Sequence, residues 1–273
     1  MNKKTMKVYK ATDLKAKFCL LMTLLKDTKF IECNILSRIS AVFHLARKGY
    51  KGLVGSLYLN FNGLDFVVNS NGGLGIVSEK CFEPIVFEHI KSKTGDLFID
   101  IGANVGAYSL LASKSFRKVI SVEPGISQRE ILQINIQSNA ISNITVKEVA
   151  IGSFNGTSKL YKADSTINDS LKRISNTFQT VNIITLDNLL ERIDMVDLIK
   201  IDVEGSELDV IKSGKNSLRK VREIILESRK EFESQIVEIM KELNFNCYIL
   251  EDRPKIFEKN LLFSVYTYNY KAL

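Results

Sequence analysis

Leu97-Phe98-Ile99-Asp100-Ile101-Gly102-Ala103-Asn104-Val105-Gly106 decides how the chain folds. Its first five residues are apolar apart from one acid, the pattern of a parallel strand buried on both faces. Two glycines follow, four positions apart, and Ala107 to Ser113 continue with helical spacing. A strand, a glycine-bearing turn and a helix N-terminus together let a ligand approach the backbone closely.

Downstream, strands and helices alternate. Lys118 to Val122 reads as a strand ending at Glu123-Pro124, Gln128 to Asn139 as a helix, and Ile144 to Ile151 as a third strand. Leu198 to Asp202, Ser206 to Ser213, Arg222 to Glu227 and Glu231 to Leu243 repeat the strand–helix order. Residues 245–251 and 261–269 have no helix between them and are expected to pair antiparallel. Repeated βα units imply a parallel sheet with right-handed crossovers. The fold expected is α/β: a doubly wound, mostly parallel seven-stranded sheet of the Rossmann-like kind that class I methyltransferases use.

Upstream, residues 12–26 and 29–48 carry apolar side chains at helical spacing and predict two helices. Leu57, Leu59 and Phe61, then Asn62-Gly63, then Leu64, Phe66 and Val68 predict a β-hairpin. Asn71 to Gly75 reads as a loop and Glu83 to Lys93 as a short lead-in helix. The division expected is a basic helical extension over 1–50, the hairpin and lead-in helix over 51–92, and the main domain over 93–273.

Composition bounds the chemistry. The four cysteines, Cys19, Cys33, Cys81 and Cys247, lie far apart, which argues against a zinc site or a disulfide framework and for a reducing, cytoplasmic setting. His44 and His89 are too isolated for a histidine-rich metal centre and read as packing residues. Net charge is +7, yet residues 1–60 hold 12 Lys/Arg against 3 Asp/Glu, so the whole excess lies there. Such a segment suits nucleic acid, an anionic membrane surface or an acidic partner, and equally a solvated helical face. The apolar run Phe18 to Leu25 is about eight residues, short of the ~20 that span a bilayer, and no small-residue cleavage site follows it.

In doubly wound sheets ligands bind beyond the carboxyl ends of the strands. Asp100, Glu123, Asp202, Glu204 and Glu227 stand at such ends. Asn at position 104 breaks the G-x-G-x-x-G dinucleotide fingerprint. An aspartate at the base of the turn repels phosphate and suits an ammonium group. Glu123, 17 residues past Gly106, can accept both hydroxyls of a ribose. Together these features suggest S-adenosylmethionine rather than a nicotinamide nucleotide.

Asp100 to Gly106, Val122-Glu123-Pro124, Asn135 with Asn139, Thr185-Leu186-Asp187 and above all Ile199-Lys200-Ile201-Asp202-Val203-Glu204-Gly205-Ser206-Glu207 resemble the FkbM-type methyltransferases over about residues 80–230. The resemblance implies O-methyl transfer from S-adenosylmethionine to a hydroxyl, often on a sugar or polyketide. It implies that the Asp100–Gly106 loop holds the methionine end, that Glu123 holds the ribose, and that Asp202 and Glu204 face the methyl group and acceptor. The expected donor-binding set is Asp100, Gly102, Ala103, Asn104, Gly106, Glu123, Pro124, Ala150 and Asp202. The family often carries a histidine two residues past the fifth-strand glutamate, where this chain has Arg229. Either that histidine is dispensable, or Arg229 meets an anionic group on the acceptor, such as a uronate or phosphate.

Methyl transfer from a sulfonium needs alignment and removal of one proton. Glu204 is the first choice of base and Asp202 the second, with Glu227 beside them. A Mg²⁺ ion bridging Asp202 and Glu227 is the competing mechanism, although nothing marks a full ligand set, so no resident metal is expected. The segment 152–180 reads either as an acceptor lid, with Asn168 and Ser170 reaching in, or as a hairpin and surface loop. The acceptor group expected is a hydroxyl, or else a carboxylate, of a sugar, glycan or similar small molecule, free or lipid-linked. An RNA methyltransferase using the basic N-terminus is the alternative. A peripheral contact of residues 1–50 with the inner membrane surface is a further expectation, and the same helices equally suit a dimer contact or packing on the sheet.

Overall fold

The computed structural model describes residues 9–10, 51–53, 56–61, 64–69, 84–161, 171, 177–250 and 265–272. The expected helices at 12–26 and 29–48, the loop at 71–75, and Asn168 and Ser170 lie outside these residues.

The main sheet is built on β5 (Gly95–Ile101), flanked by β6 (Phe116–Val122) and β11 (Val196–Ile201). β7 (Ile144–Lys147) extends it beyond β6, and β12 (Val221–Arg229) beyond β11. These five strands run parallel. β14 (Val265–Ala272) joins β12 antiparallel and pairs antiparallel with β13 (Phe245–Leu250), giving the order β13-β14-β12-β11-β5-β6-β7. The antiparallel pairing expected for the two last strands is present, with residues 251–264 outside the description.

β5 explains why its sequence is apolar at nearly every position. Leu97, Ile99 and Ile101 belong to the core on one face, and Phe98 to the core on the other. Side chains alternate across a strand, so a strand covered on both faces needs apolar residues at odd and even positions alike. The first face is covered by α4 (Leu186–Leu189), α5 (Glu207–Ser213) and α6 (Lys230–Glu242), through Leu186, Val210, Ile211, Ile236 and Met240. The second is covered by α1 (Pro84–Lys91) and α2 (Ala107–Ala112), through Val86, Ile90, Tyr108 and Leu111. α3 (Ile126–Ser138) follows β6.

Two differences from the sequence reading stand out. The stretch read as one strand, Ile144 to Ile151, is two. β7 lies in the main sheet, whereas β8 (Ala150–Ile151) pairs with β10 (Phe178–Ile184), which also pairs with β9 (Gly156–Tyr161). The alternation holds only to Lys147 and is broken by Lys147-Glu148, and which sheet the next strand joins is not a local property of the chain. Secondly, the hairpin of β3 (Ser56–Phe61) and β4 (Leu64–Asn69) is part of a four-stranded sheet. Its other strands are β1 (Tyr9–Lys10) and β2 (Lys51–Leu53), so the first 50 residues contribute a strand. Phe61 pairs opposite Leu64 across Asn62-Gly63, as the sequence expects. His89 is more than a packing residue: its Nε2 lies 2.6 Å from Glu223 Oε1, and Lys93 Nζ lies 2.7 Å from Glu223 Oε2.

Candidate active site

The register places four of the expected site residues in one row. Ile101 pairs with Val122 on one side and with Ile201 on the other, and Ile201 pairs with Leu226. The next residues, Glu123, Gly102, Asp202 and Glu227, therefore follow in line across four neighbouring strands at their carboxyl ends. The backbone continues the ladder there: Gly102 N–H donates to Val122 O at 2.9 Å, and Asp202 N–H to Ile101 O at 2.9 Å.

The turn after β5 is tight. Gly102 has φ +85°, Asn104 +50° and Gly106 +93°. A side chain at Gly102 would meet the Asp202 carbonyl oxygen at 1.8 Å, and one at Gly106 would meet Leu132 at 2.4 Å. The space that both glycines keep open is thus filled by the protein itself. They seat the turn on β11 and α3, with Ala103 buried and Asn104 half-buried between them.

Glu123 is buried, at 7% exposure, and two backbone donors orient it. Asn104 N–H reaches its Oε2 at 2.9 Å and Gly125 N–H its Oε1 at 2.7 Å. The acid at the tip of β6 is therefore fastened directly to the glycine turn. Pro124 turns its carbonyl to Arg129 Nη1 at 2.6 Å. Ile126, next along, is an exposed apolar side chain. Ala150 is buried in β8 against β10.

Asp100 lies beneath the turn at 1% exposure. Its Oδ2 accepts from Ser109 Oγ at 2.6 Å, and Ser109 in turn accepts from Ser121 at 2.7 Å. Its Oδ1 is buried with no hydrogen-bond partner among the described residues. Burial pushes the Asp100 carboxyl above its ordinary value, opposed by the nearby Lys200 ammonium. Lys200 is buried too, donates to Asp202 Oδ2 at 3.1 Å and lies 4.5 Å from the centre of the Tyr108 ring. It compensates the acids on either side of it. A buried carboxylate oxygen awaiting a donor, beside a turn that carries no phosphate-binding pattern, fits the ammonium of an amino-acid tail.

Beyond β11 the chain turns sharply. Glu204 has φ +53°, a left-handed conformation that is rare outside glycine, and Gly205 has φ +103°. The Arg229 guanidinium lies over Gly205, where a side chain would meet its Cζ at 2.7 Å, and Nη2 donates to Glu204 O at 3.3 Å. Glu207, which sequence reasoning left in no role, is buried behind this turn. Its Oε1 accepts from Gly205 N–H at 2.7 Å, and its Oε2 has no hydrogen-bond partner among the described residues. Burial pushes its carboxyl upward, opposed by the Gly205 N–H and, more weakly, by Arg229. The available signal was its place as an acid at the start of a helix. Asp202, Glu204, Glu227 and Arg229 are all half-buried. Among the described residues, no group of three or more His, Cys, Asp or Glu is arranged to hold a metal ion.

The model of the Methyltransferase FkbM domain matches residues 100–250, more than half of the chain. The chain belongs to this family. Its match spans the turn after β5, Glu123 and the Asp202–Glu207 turn. The hexuronic acid methyltransferase AglP of Haloferax volcanii is 25% identical over 139 residues, covering 50% of this chain and 57% of that protein. The chain thus matches little more than half the length of this relative. Among solved structures, methyltransferase FkbM from Methylobacillus flagellatus KT is similar at 17% identity and a TM-score of 0.47, covering 65% of this chain and 44% of that one. The precorrin-6y C5,15-methyltransferase of Geobacter metallireducens GS-15 is similar at 13% identity and a TM-score of 0.45, covering 69% and 86%.

Proposed function

We propose that this FkbM-family chain transfers a methyl group from S-adenosylmethionine to a hydroxyl of a sugar or glycan. The observation that carries the donor half is the fastening of Glu123 to Asn104 N–H at 2.9 Å, which sets a ribose-binding acid against the glycine turn. Glu123 accepts the ribose hydroxyls. Asp100 Oδ1, with no hydrogen-bond partner among the described residues, accepts from the methionine ammonium. Gly102, Ala103, Asn104 and Gly106 shape the backbone between these two acids, and Pro124 and Ala150 border the nucleoside side.

When bound, the donor supplies a methyl group already activated on a sulfonium. The protein's tasks are to hold the acceptor in line and to take one proton. Glu204 is the base. Asp202 is the poorer candidate because Lys200 holds its carboxylate in an ion pair at 3.1 Å. The left-handed backbone at Glu204 is maintained by Arg229 on Gly205 and by Glu207 behind it, which fixes where the Glu204 carboxylate leaves the turn. Glu227 stands at the next strand end, beside Asp202. Arg229 presents a guanidinium with five donors, of which one is seen to bond the turn. It suits an acceptor that bears a carboxylate, and the similarity to a hexuronic acid methyltransferase favours the same acceptor class.

The RNA alternative rests on the charge of the first 60 residues and draws on none of the side chains at the site. The discriminating experiment incubates the full chain with methyl-labelled S-adenosylmethionine and cell extract separated into glycan, lipid and RNA fractions. Label is expected in glycan or in lipid-linked glycan. Label in RNA alone overturns the acceptor assignment. Failure to bind S-adenosylmethionine or S-adenosylhomocysteine overturns the donor assignment.

A further inference from the structure

Asn135 on α3 and Asn139, the residue that caps its C-terminus, sit one turn apart and face β4, an edge strand among the described residues. Asn135 Oδ1 accepts from Val67 N–H at 2.5 Å, and its Nδ2 donates to Val67 O at 3.2 Å. Asn139 does the same two residues earlier: Oδ1 accepts from Asp65 N–H at 2.7 Å, and Nδ2 donates to Asp65 O at 2.7 Å. The spacings match. Four residues of helix rise about 6 Å, and two residues of strand about 6.6 Å. An asparagine amide carries one acceptor and two donors, so each side chain offers β4 what a neighbouring strand's backbone would offer. The helix thereby caps a sheet edge that would otherwise present unpaired backbone groups.

Asn135 makes one more contact. Its Nδ2 also donates at 2.8 Å to the carbonyl of Val105, inside the glycine turn. Asn135 is fully buried. One amide thus joins the N-terminal sheet at Val67 to the turn that runs from Gly102 to Gly106, and the same turn fastens Glu123 through Asn104. We propose that Asn135, braced by Asn139, is a positioning residue that couples the N-terminal sheet to the donor-binding turn, so that docking of β4 on α3 sets the affinity for the donor. This inference rests on the donor-binding reading of that turn.

The coupling is reciprocal: if docked β4 favours the donor, the donor favours docked β4. The test uses the full chain and S-adenosylhomocysteine as probe. Saturating probe is expected to slow hydrogen exchange of the Val67 amide, which is bonded to Asn135, by about tenfold, a factor within the usual range of such couplings. Two variants leave every residue of the donor site in place. Asn139→Ala removes the brace, and Val67→Pro removes the N–H whose hydrogen bond Asn135 Oδ1 accepts. Each is expected to raise the Kd for the probe about tenfold, measured by calorimetry well below the unfolding temperature. Met240→Ala, in the core of the opposite face, serves as the control for lost stability and should leave Kd unchanged. A Val67 exchange rate indifferent to the probe, together with unchanged Kd in the two variants, overturns the coupling even if both melt earlier. If the unaltered chain takes up no probe, the donor assignment itself has failed, a different outcome read in the same experiment.

Discussion

Asn104 and Glu123 lie 19 residues apart in sequence and 2.9 Å apart in space, backbone N–H to carboxylate. That bond spans the ends of two neighbouring parallel strands. It makes the glycine turn and the strand-tip acid one unit.

Glu123→Ala removes an acid proposed to take two charge-assisted hydrogen bonds from the ribose. At about 1.5 kcal/mol or more each, the loss is about 3 kcal/mol, a factor of ~100 in the Kd for S-adenosylhomocysteine. Titration calorimetry reads it directly. An unchanged Kd would remove Glu123 from the donor site.

Glu204→Gln keeps the size and the backbone turn but cannot accept a proton. General-base assistance is worth about 10² to 10⁴ in rate. The variant should lose turnover by such a factor while binding S-adenosylhomocysteine as before. Normal turnover would shift the role of base to Asp202 or to water.

Asp100 gives a proton-linkage signature. Its carboxyl titrates above the ordinary 3.8 because it is buried, so the ligand-free protein keeps that proton to higher pH. An ammonium placed against Oδ1 favours the carboxylate, and binding must then expel the proton. Calorimetry of S-adenosylhomocysteine in two buffers of different ionisation heat, at successive pH values above 3.8, should report proton release. Asp100→Asn should abolish it. Release that persists in the variant places the proton elsewhere.

Glu207 makes stability fall as pH rises. Desolvation raises its folded-state pKa above the ordinary 4.5. A raised acid contributes stability that is fully present below the unfolded value and is lost as pH climbs through the folded one. Glu207→Gln retains an acceptor for Gly205 N–H and removes the titration. Urea unfolding between pH 4 and neutrality should therefore show the variant gaining on the parent as pH increases. The opposite slope would mean that the Gly205 N–H and Arg229 together outweigh burial.

Gly102→Ala should be severe. The added carbon would overlap the Asp202 carbonyl at 1.8 Å, at a backbone φ of +85°. Strain at such a φ costs about 1–3 kcal/mol alone; with the clash, a loss of more than about 4 kcal/mol or a failure to fold is expected. Thermal melting checks it, and a loss under about 1 kcal/mol would show that β11 can retreat from the turn.

Much of this was legible from the chain. The parallel strands announce themselves as unbroken apolar runs because helices cover both faces. The strand-end acids could be found by inspecting the first polar positions past each run. The two glycines were legible as a turn, but their reason was not: Gly102 is small because of Asp202, a hundred residues on, and Gly106 because of Leu132. The break between Lys147 and Ala150 left a trace in the sequence, since Lys147-Glu148 interrupts the alternation of Ile144 to Lys147, but not which sheet Ala150-Ile151, both buried, would join. Asn135 and Asn139 were visible as a spaced pair with no stated task. Their partners, Val67 and Asp65, lie about 70 residues earlier.

By itself, the sequence determined the class of fold, the succession of strands and helices along most of the main domain and the acids at the strand ends, since periodicity, turn chemistry and strand termini are local properties of a chain. Only the tertiary structure decided that Glu123 is fastened to Asn104, that Lys200 lies opposite Asp100 on the neighbouring strand, and that α3 covers the edge of β4 among the described residues. Those contacts exist because right-handed crossovers bring distant segments within hydrogen-bonding distance. No local pattern records which backbone edge a distant side chain will meet.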